Sequence, residues 1–356
     1  MVVALDAESR ASTRATPESQ GTGFGLRLAA ADLEFNGGDG RVATYLVTGG
    51  AGFIGSHLVE ELLRRGQTVR IVDNFSTGKR ENLPAKGSAE VVEGDVSDPA
   101  VANRAVAGCD FVLHQAAIPS VPRSVKDPVT SHRANVDGTL QVLLAARDAK
   151  VKRLVFAGSS SVYGDTAVLP KREDMRPHPL SPYALHKLIG EQYCQLFTKL
   201  YGLETVSTRY FNVFGPRQDP GSPYSGVISL FVDALTTGHP PKIHGDGKQT
   251  RDFTYVTDVV AGVLRCCDAP NVAGEVINVA AGGRVSLLEL VQALQVITGS
   301  TLTPEFGPNR EGDVRDSQAD IFKARSLLGF EPAVPFDEGL RRTVTWYRTA
   351  GPVAKA

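Results

Sequence analysis

The run Thr44–Leu58, TYLVTGGAGFIGSHL, restricts this chain more than any other feature. It sets an apolar, β-rich pentad, three glycines in GxxGxxG spacing (Gly49, Gly52, Gly55) and a helical pattern directly one after another. A turn that tight lets backbone N–H groups approach a pyrophosphate, packs helix close against strand, and aims the positive end of the helix at the anion. The run predicts a dinucleotide cradle at the start of a parallel α/β sheet. Asp73 closes the following strand TVRIVD at about the ~20-residue separation expected of an acid that grips the adenosine ribose. A carboxylate there repels a 2′-phosphate, so NAD is expected over NADP, although Lys79 and Arg80 stand nearby as possible phosphate partners. Asp95 in EGDV has two readings, an acceptor for the adenine amino group or a helix cap for SDPAV.

Strand and helix continue to alternate. AEVVEGD, DFVLHQAA and RLVFAGSS read as strands, and helical patterns run across FIGSHLVEELLRRG, from about Ser131 to Ala149 and from about Ser181 to Tyr201. Short apolar strands between helices predict an α/β fold, a doubly wound parallel sheet of the Rossmann type. After TVSTRYFNVFG the rhythm gives way to Pro- and Gly-rich segments, which predicts a smaller, loop-rich C-terminal substrate lobe. The expected division is an NAD-binding domain over 42–207, with 256–282 returning to it, and a nucleotide-sugar lobe over 208–255 and 283–350. Residues 1–41 lack periodicity and read as a disordered tail, with the ordered pattern starting at Val42, a position that a GUG start codon would encode.

A formal charge of -1 over 356 residues offers no basic face for nucleic acid or an anionic membrane. No apolar run approaches the ~20 residues of a membrane helix, and the opening is interrupted by Asp6 and Glu8, unlike a signal peptide. Cys109, Cys194, Cys266 and Cys267 have no CxxC spacing, so reduced, packed thiols, no metal site and a cytoplasmic location are expected.

A second constellation sits at the carboxyl edge of the predicted sheet. Tyr183 and Lys187 are four apart on one predicted helix, hence on one face. A phenol with pKa ~10 needs about 4 kcal/mol of differential stabilisation to act as a base near neutrality, and a fixed ammonium beside a cationic nicotinamide would supply it. Ser159, Ser160 and Ser161 end the strand RLVFAGSS, where ligands of open α/β folds gather.

Taken together these segments resemble the extended short-chain dehydrogenase/reductase family, and within it the NAD-dependent epimerases and dehydratases that act on nucleotide sugars, closest to UDP-hexose 4-epimerases. The resemblance runs from residue 43 to about 345 through TGGAGFIGSH, GDV, HQAA, NVDGT, SSSVYG, SPYALHK, RYFNVFGPRQ, GDGKQTRDFTYVTD and REGDVRDSQAD. It implies Ser159, Tyr183 and Lys187 as the catalytic set. It extends the NAD contacts to Phe53 and Ile54 in the glycine turn, Asn74, Ser76 and Gly78 after the second strand, Val96 beside Asp95, and Gln115, Ala116 and Ala117 after the fourth. Asn135, as a holder of site geometry, and Phe211 complete that set. For the UDP-sugar it implies Ser160, Asn212, Val227, Ile243, His244, Arg251, Arg310 and Asp313, and a homodimer formed through helices of the large lobe.

Relatives that dehydrate or decarboxylate show acidic residues after the Ser159 position, where this chain has Ser160 and Ser161. An NAD-sensing binding protein is the non-enzymatic alternative, and it predicts loss of Tyr183 or Lys187. Ser317 stands where epimerases restricted to UDP-glucose and UDP-galactose resemble one another in a bulky Tyr. With Asn212 and Gln218 it implies room and partners for a C2 acetamide, hence UDP-N-acetylglucosamine as a substrate. Pro119 departs from that pattern, and a small residue at 317 equally admits UDP-glucuronate with Arg123 as the carboxylate partner.

Overall fold

The computed structural model describes residues 42–219, 226–308 and 314–350. The expected tail, residues 1–41, falls outside them. In chain order the elements are β1 (Thr44–Thr48), α1 (Phe53–Arg64), β2 (Thr68–Asp73), β3 (Glu90–Glu93), α2 (Pro99–Val106), β4 (Phe111–His114), α3 (Val121–Lys126), α4 (Pro128–His132), α5 (Gly138–Asp148), β5 (Arg153–Ser159), α6 (Pro182–Tyr201) and β6 (Glu204–Tyr210). The second half adds β7 (Val213–Phe214), α7 (Val227–Thr236), β8 (Lys242–His244), β9 (Thr250–Arg251), β10 (Thr254–Tyr255), α8 (Val256–Asp268) and β11 (Val276–Val279). It ends with β12 (Val285–Ser286), α9 (Leu287–Thr298), β13 (Glu305–Gly307), α10 (Phe322–Leu328) and α11 (Phe336–Ala350).

Seven strands form one parallel sheet in the order β11-β6-β5-β4-β1-β2-β3. The order reverses between β1 and β4, and a crevice opens at such a switch point outside the carboxyl ends of the strands. Thr48 pairs with His114, and Ser159 with Tyr210, so the strand ends that carry chemistry meet at one edge. Both faces of the sheet are covered, which is why the strands read as nearly unbroken apolar runs: Leu46, Val112 and Leu154 are fully buried.

The stretch expected as one helix from about Ser131 to Ala149 is divided. Asp127 caps α4 by accepting the Thr130 N–H, and a π-helical turn over Arg133–Asp137 separates α4 from α5. Extra residues in a helical turn re-aim a side chain, and such turns recur at functional sites. Here Asn135 is turned inward, and its amide accepts the Ile118 N–H at 2.7 Å and donates to the Ile118 carbonyl at 3.2 Å.

Helix α6 lies unusually close to β5. A Cβ at Gly190 would come within 2.4 Å of the Phe156 ring, so only glycine admits this approach. The small sheets of the second half surround a separate apolar cluster built on Phe214, Phe231, Ile243 and Leu290. No helix among the described residues is long and apolar enough to cross a membrane.

Candidate active site

The glycine turn is built as its spacing implies. Gly49 holds φ +67°, and a Cβ at Gly55 would lie 2.2 Å from the Gly49 carbonyl oxygen, so a side chain at either position would break the turn. Helix α1 has Gly52 as its N-cap with no capping side chain, which leaves first-turn N–H groups facing a cavity of about 930 Å³. That volume is at the top of the range for a single small ligand and accommodates an extended pair. Gly49, Gly52, Phe53, Ile54 and Gly55 line it, as do Asn74, Ser76, Gly78, Val96 and Gln115 to Ala117.

Asp73 is buried, with its carboxylate accepting the N–H groups of Ala51 at 3.0 Å and Phe75 at 2.8 Å. A Cβ at Gly78 would stand 2.8 Å from both carboxylate oxygens, so the acid faces an opening only glycine keeps clear. Of the two readings of Asp95, the cap belongs to Asp98, which accepts the Ala100 N–H at 2.8 Å. Asp95 lines the cavity. Burial pushes its carboxyl up, but the Ser97 N–H and the Asn74 amide outweigh that and hold it below the usual carboxylate range.

A buried relay fixes the floor. Thr139 donates its hydroxyl to the Asn135 carbonyl, so His114 Nε2–H donates to Thr139 and Nδ1 accepts from Thr48. Thr48 Oγ1 then accepts the N–H groups of Gln115 and Ala116. Burial, aided by the Lys187 charge, drives the His114 pKa down to about 3, keeping the ring neutral. Gln115 Nε2 is buried on the cavity wall with no partner among the described residues. That orphan donor, the uncapped helix end and the placement of Asp73 fit a dinucleotide.

On the other wall, Ser181 caps α6 through the Ala184 N–H at 3.2 Å, and Pro182 occupies its first turn. One turn in, Tyr183 and Lys187 face β5. Lys187 Nζ donates to the Ala157 carbonyl at 2.8 Å and lies 6.0 Å from the Tyr183 ring centroid. Burial pushes the Tyr183 phenol up, and the Ser159 hydroxyl is the group that pulls it back. Lys187 is brought down to about 8 by burial. Anchored on Ala157, Lys187 is the fixed ammonium expected beside Tyr183; the cationic nicotinamide expected to act with it on the phenol would come with the cofactor. Ser159 also accepts from the Ser161 hydroxyl at 2.9 Å, giving the chain of hydroxyls Ser161, Ser159, Tyr183.

Of the residues expected around the sugar nucleotide, Arg123, Ser159, Ser160, Tyr183, Asn212, Gln218, Arg251 and Ser317 share this cavity. Val227 and Ile243 are instead packed with the second apolar cluster, and His244 turns its Nδ1 to the Pro308 carbonyl at 3.2 Å. Asn135 acts behind the wall through Ile118, as described. Phe211 does not line the cavity either, because it is fully buried against Val162 and Tyr163. Arg310 and Asp313 lie outside the described residues. Sequence reasoning missed Tyr210 and Lys171, both on the wall. Tyr210 was findable as the last residue of a strand whose neighbour ends in Ser159; Lys171 carried no such signal.

Comparison with known proteins places this geometry. The profile of the NAD dependent epimerase/dehydratase family matches residues 45–280. A putative UDP-glucose 4-epimerase of Methanocaldococcus jannaschii is 41% identical over 305 residues, covering 85% of this chain and 98% of that protein. Among solved structures, the UDP-glucose 4-epimerase of Thermotoga maritima with UDP-glucose superposes with a TM-score of 0.83 at 38% identity, over 86% of this chain and 99% of that one. The UDP-N-acetylglucosamine 4-epimerase of Methanobrevibacter ruminantium, in complex with UDP-N-acetylmuramic acid, gives 0.84 at 37%, over 87% and 100%.

Proposed function

We propose that this chain, which belongs to the NAD dependent epimerase/dehydratase family, epimerises a UDP-hexose at C4, with UDP-N-acetylglucosamine and UDP-N-acetylgalactosamine as its preferred pair. NAD is the cofactor. When bound it would take the C4 hydrogen as hydride and return it to the opposite face of a 4-keto sugar. The chain's own residues do the rest. Tyr183 removes the C4 hydroxyl proton, with Ser159 bonded to the phenol to pass it on, and the same phenol gives the proton back after the ring has turned. Lys187 holds α6 on β5 so that the phenol stays over the reacting carbon. Arg251, a guanidinium with paired donors, serves the diphosphate.

One observation carries the acetamide. Gln218 Nε2 donates to the Val213 carbonyl at 3.2 Å, while its Oε1 is buried on the cavity wall with no partner among the described residues. An acetamide N–H on the sugar answers that orphan acceptor. Ser317, small and on the same wall, leaves the room. Dehydration is disfavoured because Ser160 and Ser161, rather than acids, follow Ser159, and Asp219 on the wall is ion-paired with Lys79 at 3.5 Å.

The deciding experiment is NMR identification of the products formed from UDP-glucose, UDP-N-acetylglucosamine and UDP-glucuronate. Inversion at C4 of the acetylated sugar with the highest kcat/KM supports the reading. Loss of water or carbon dioxide from any of the three refutes it. A homodimer is part of the proposal: Leu185, Leu196 and Leu200 form an exposed stripe on α6, and α4, which packs against α6, exposes Val129. Light scattering that gives a monomer for the wild type removes that part.

A further inference from the structure

We infer that Lys171 is a specificity-determining residue of the sugar subsite, its ammonium donating hydrogen bonds to oxygen atoms on the C2–C3 edge of the bound hexose. The inference rests on the reading of the cavity as a UDP-hexose site, and it concerns a residue that no feature of that reading requires.

Lysine is almost never fully buried unless it is paired. Lys171 is 2% exposed, on the wall it shares with Ser161, Gly164, Val314 and Ser317. Its ammonium has three donors. One goes to the Thr166 carbonyl, and the described residues take no other. The acids whose charge it feels, Asp165 and Asp316, are committed elsewhere. Asp165 accepts the Arg315 N–H at 3.1 Å, and Asp316 accepts from the Thr250 hydroxyl and from Arg284. Neither forms an ion pair with Lys171, and burial brings its ammonium below the ordinary lysine range.

The position of the residue is rigid. The Lys171 N–H donates to the Gln318 carbonyl at 2.8 Å, and its own carbonyl accepts the Asp320 N–H at 2.9 Å. The Asn278 amide adds a further bond to that carbonyl at 2.9 Å. These bonds register Lys171 opposite Ala319, two positions along from Ser317, the residue read as facing C2, and both line the same cavity. A desolvated cation with spare donors is unfavourable on a wall that offers it nothing, and becomes favourable when ligand oxygens complete its shell. The diphosphate is served by Arg251, so the oxygens that reach Lys171 are those of the sugar, whether an acetamide carbonyl at C2 or the oxygen at C3.

The test is Lys171→Met, which keeps the apolar stem and removes the charge. Calorimetry would give the affinities of UDP and of the UDP-hexose that wild type turns over, and steady-state kinetics would give kcat and KM. The expected result is UDP affinity within twofold of wild type, hexose-nucleotide affinity at least tenfold weaker, and KM raised more than kcat is lowered. A merely structural lysine would weaken UDP and UDP-hexose together, or neither, and either outcome overturns the inference. If circular dichroism shows that the methionine variant does not fold, Lys171→Gln, which retains a donor for Thr166, carries the same comparison. A wild type that epimerises no UDP-hexose sinks the functional reading and this inference with it. A wild type that does so, with an unchanged affinity ratio in the variant, sinks the inference alone.

Discussion

Lys187 binds the carbonyl oxygen of Ala157 at 2.8 Å, joining the helix that carries Tyr183 to the strand that ends in Ser159. The same nitrogen sits 5.1 Å from the Phe156 ring centroid, beneath the contact where Gly190 lets the helix descend. The lysine is therefore a spacer as well as a charge. It sets how far the phenol stands from the serine hydroxyl, a distance that neither α6 nor β5 determines by itself.

Tyr183→Phe removes the proton acceptor and almost nothing else. kcat is expected to fall about a hundredfold or more, as for loss of a general base, with NAD content and UDP affinity retained. The check is a single-turnover assay alongside calorimetry with UDP. Near-normal turnover would remove Tyr183 from the mechanism.

Gly190→Ala places a methyl 2.4 Å from the Phe156 ring. Overpacking of this kind costs about 1–3 kcal/mol, and the helix can relieve it only by lifting off β5, which carries Tyr183 away from Ser159. Both a lower urea midpoint and a lower kcat are expected. Stability lost with kcat intact would show that the site tolerates the displacement.

Asp73→Asn keeps an acceptor for one of the two N–H groups of Ala51 and Phe75, turns an amide donor toward the other, and removes the charge that repels a 2′-phosphate. The ratio of NADP to NAD dissociation constants is expected to fall at least tenfold relative to wild type. Titration by cofactor fluorescence measures both. An unchanged ratio would assign the discrimination to other groups.

Ser317→Tyr puts a ring on the cavity wall that Gln218 also lines. The prediction is a selective loss, with kcat/KM for UDP-N-acetylglucosamine reduced at least tenfold and that for UDP-glucose changed by much less. Pocket volume alone gives discrimination of about this size. Equal effects on both sugars would detach Ser317 from C2.

His114 makes the fold acid-sensitive. Its pKa is about 3 in the folded protein, against about 6.5 for a free ring. Between those values the unfolded chain binds the extra proton, so stability declines as pH falls, by about 1.4 kcal/mol per unit from this one group. Urea unfolding between pH 6.5 and 4.5 should show a slope that is smaller by about that amount in His114→Asn. Parallel slopes would show that His114 does not titrate across the transition.

The cofactor half of this site was legible in the sequence because its geometry is local. Gly49, Gly52 and Gly55 lie within one turn, and the covalent chain itself carries the strand into the helix. Asp73 follows at the end of the next strand, and Tyr183 and Lys187 share a face through helical periodicity. No packing is needed to place any of them. The sugar half depended on contacts between segments far apart in the chain. The same kind of family pattern that pointed to Ser317 and Gln218 also pointed to Val227, Ile243 and His244, and only tertiary packing, the second apolar cluster for Val227 and Ile243 and the Pro308 carbonyl for His244, separates residues that reach the cavity from residues that support it. The direction of the Lys187 ammonium followed from the approach of α6 to β5, and so from the Phe156 contact at Gly190. Lys171 was out of reach altogether: a lysine in LPKRED reads as solvated, and its burial arises because its own backbone pairs with residues 318–320, nearly 150 positions further on. Local chemistry is written in spacing, whereas burial of a charge is decided by which distant backbone comes to lie across it.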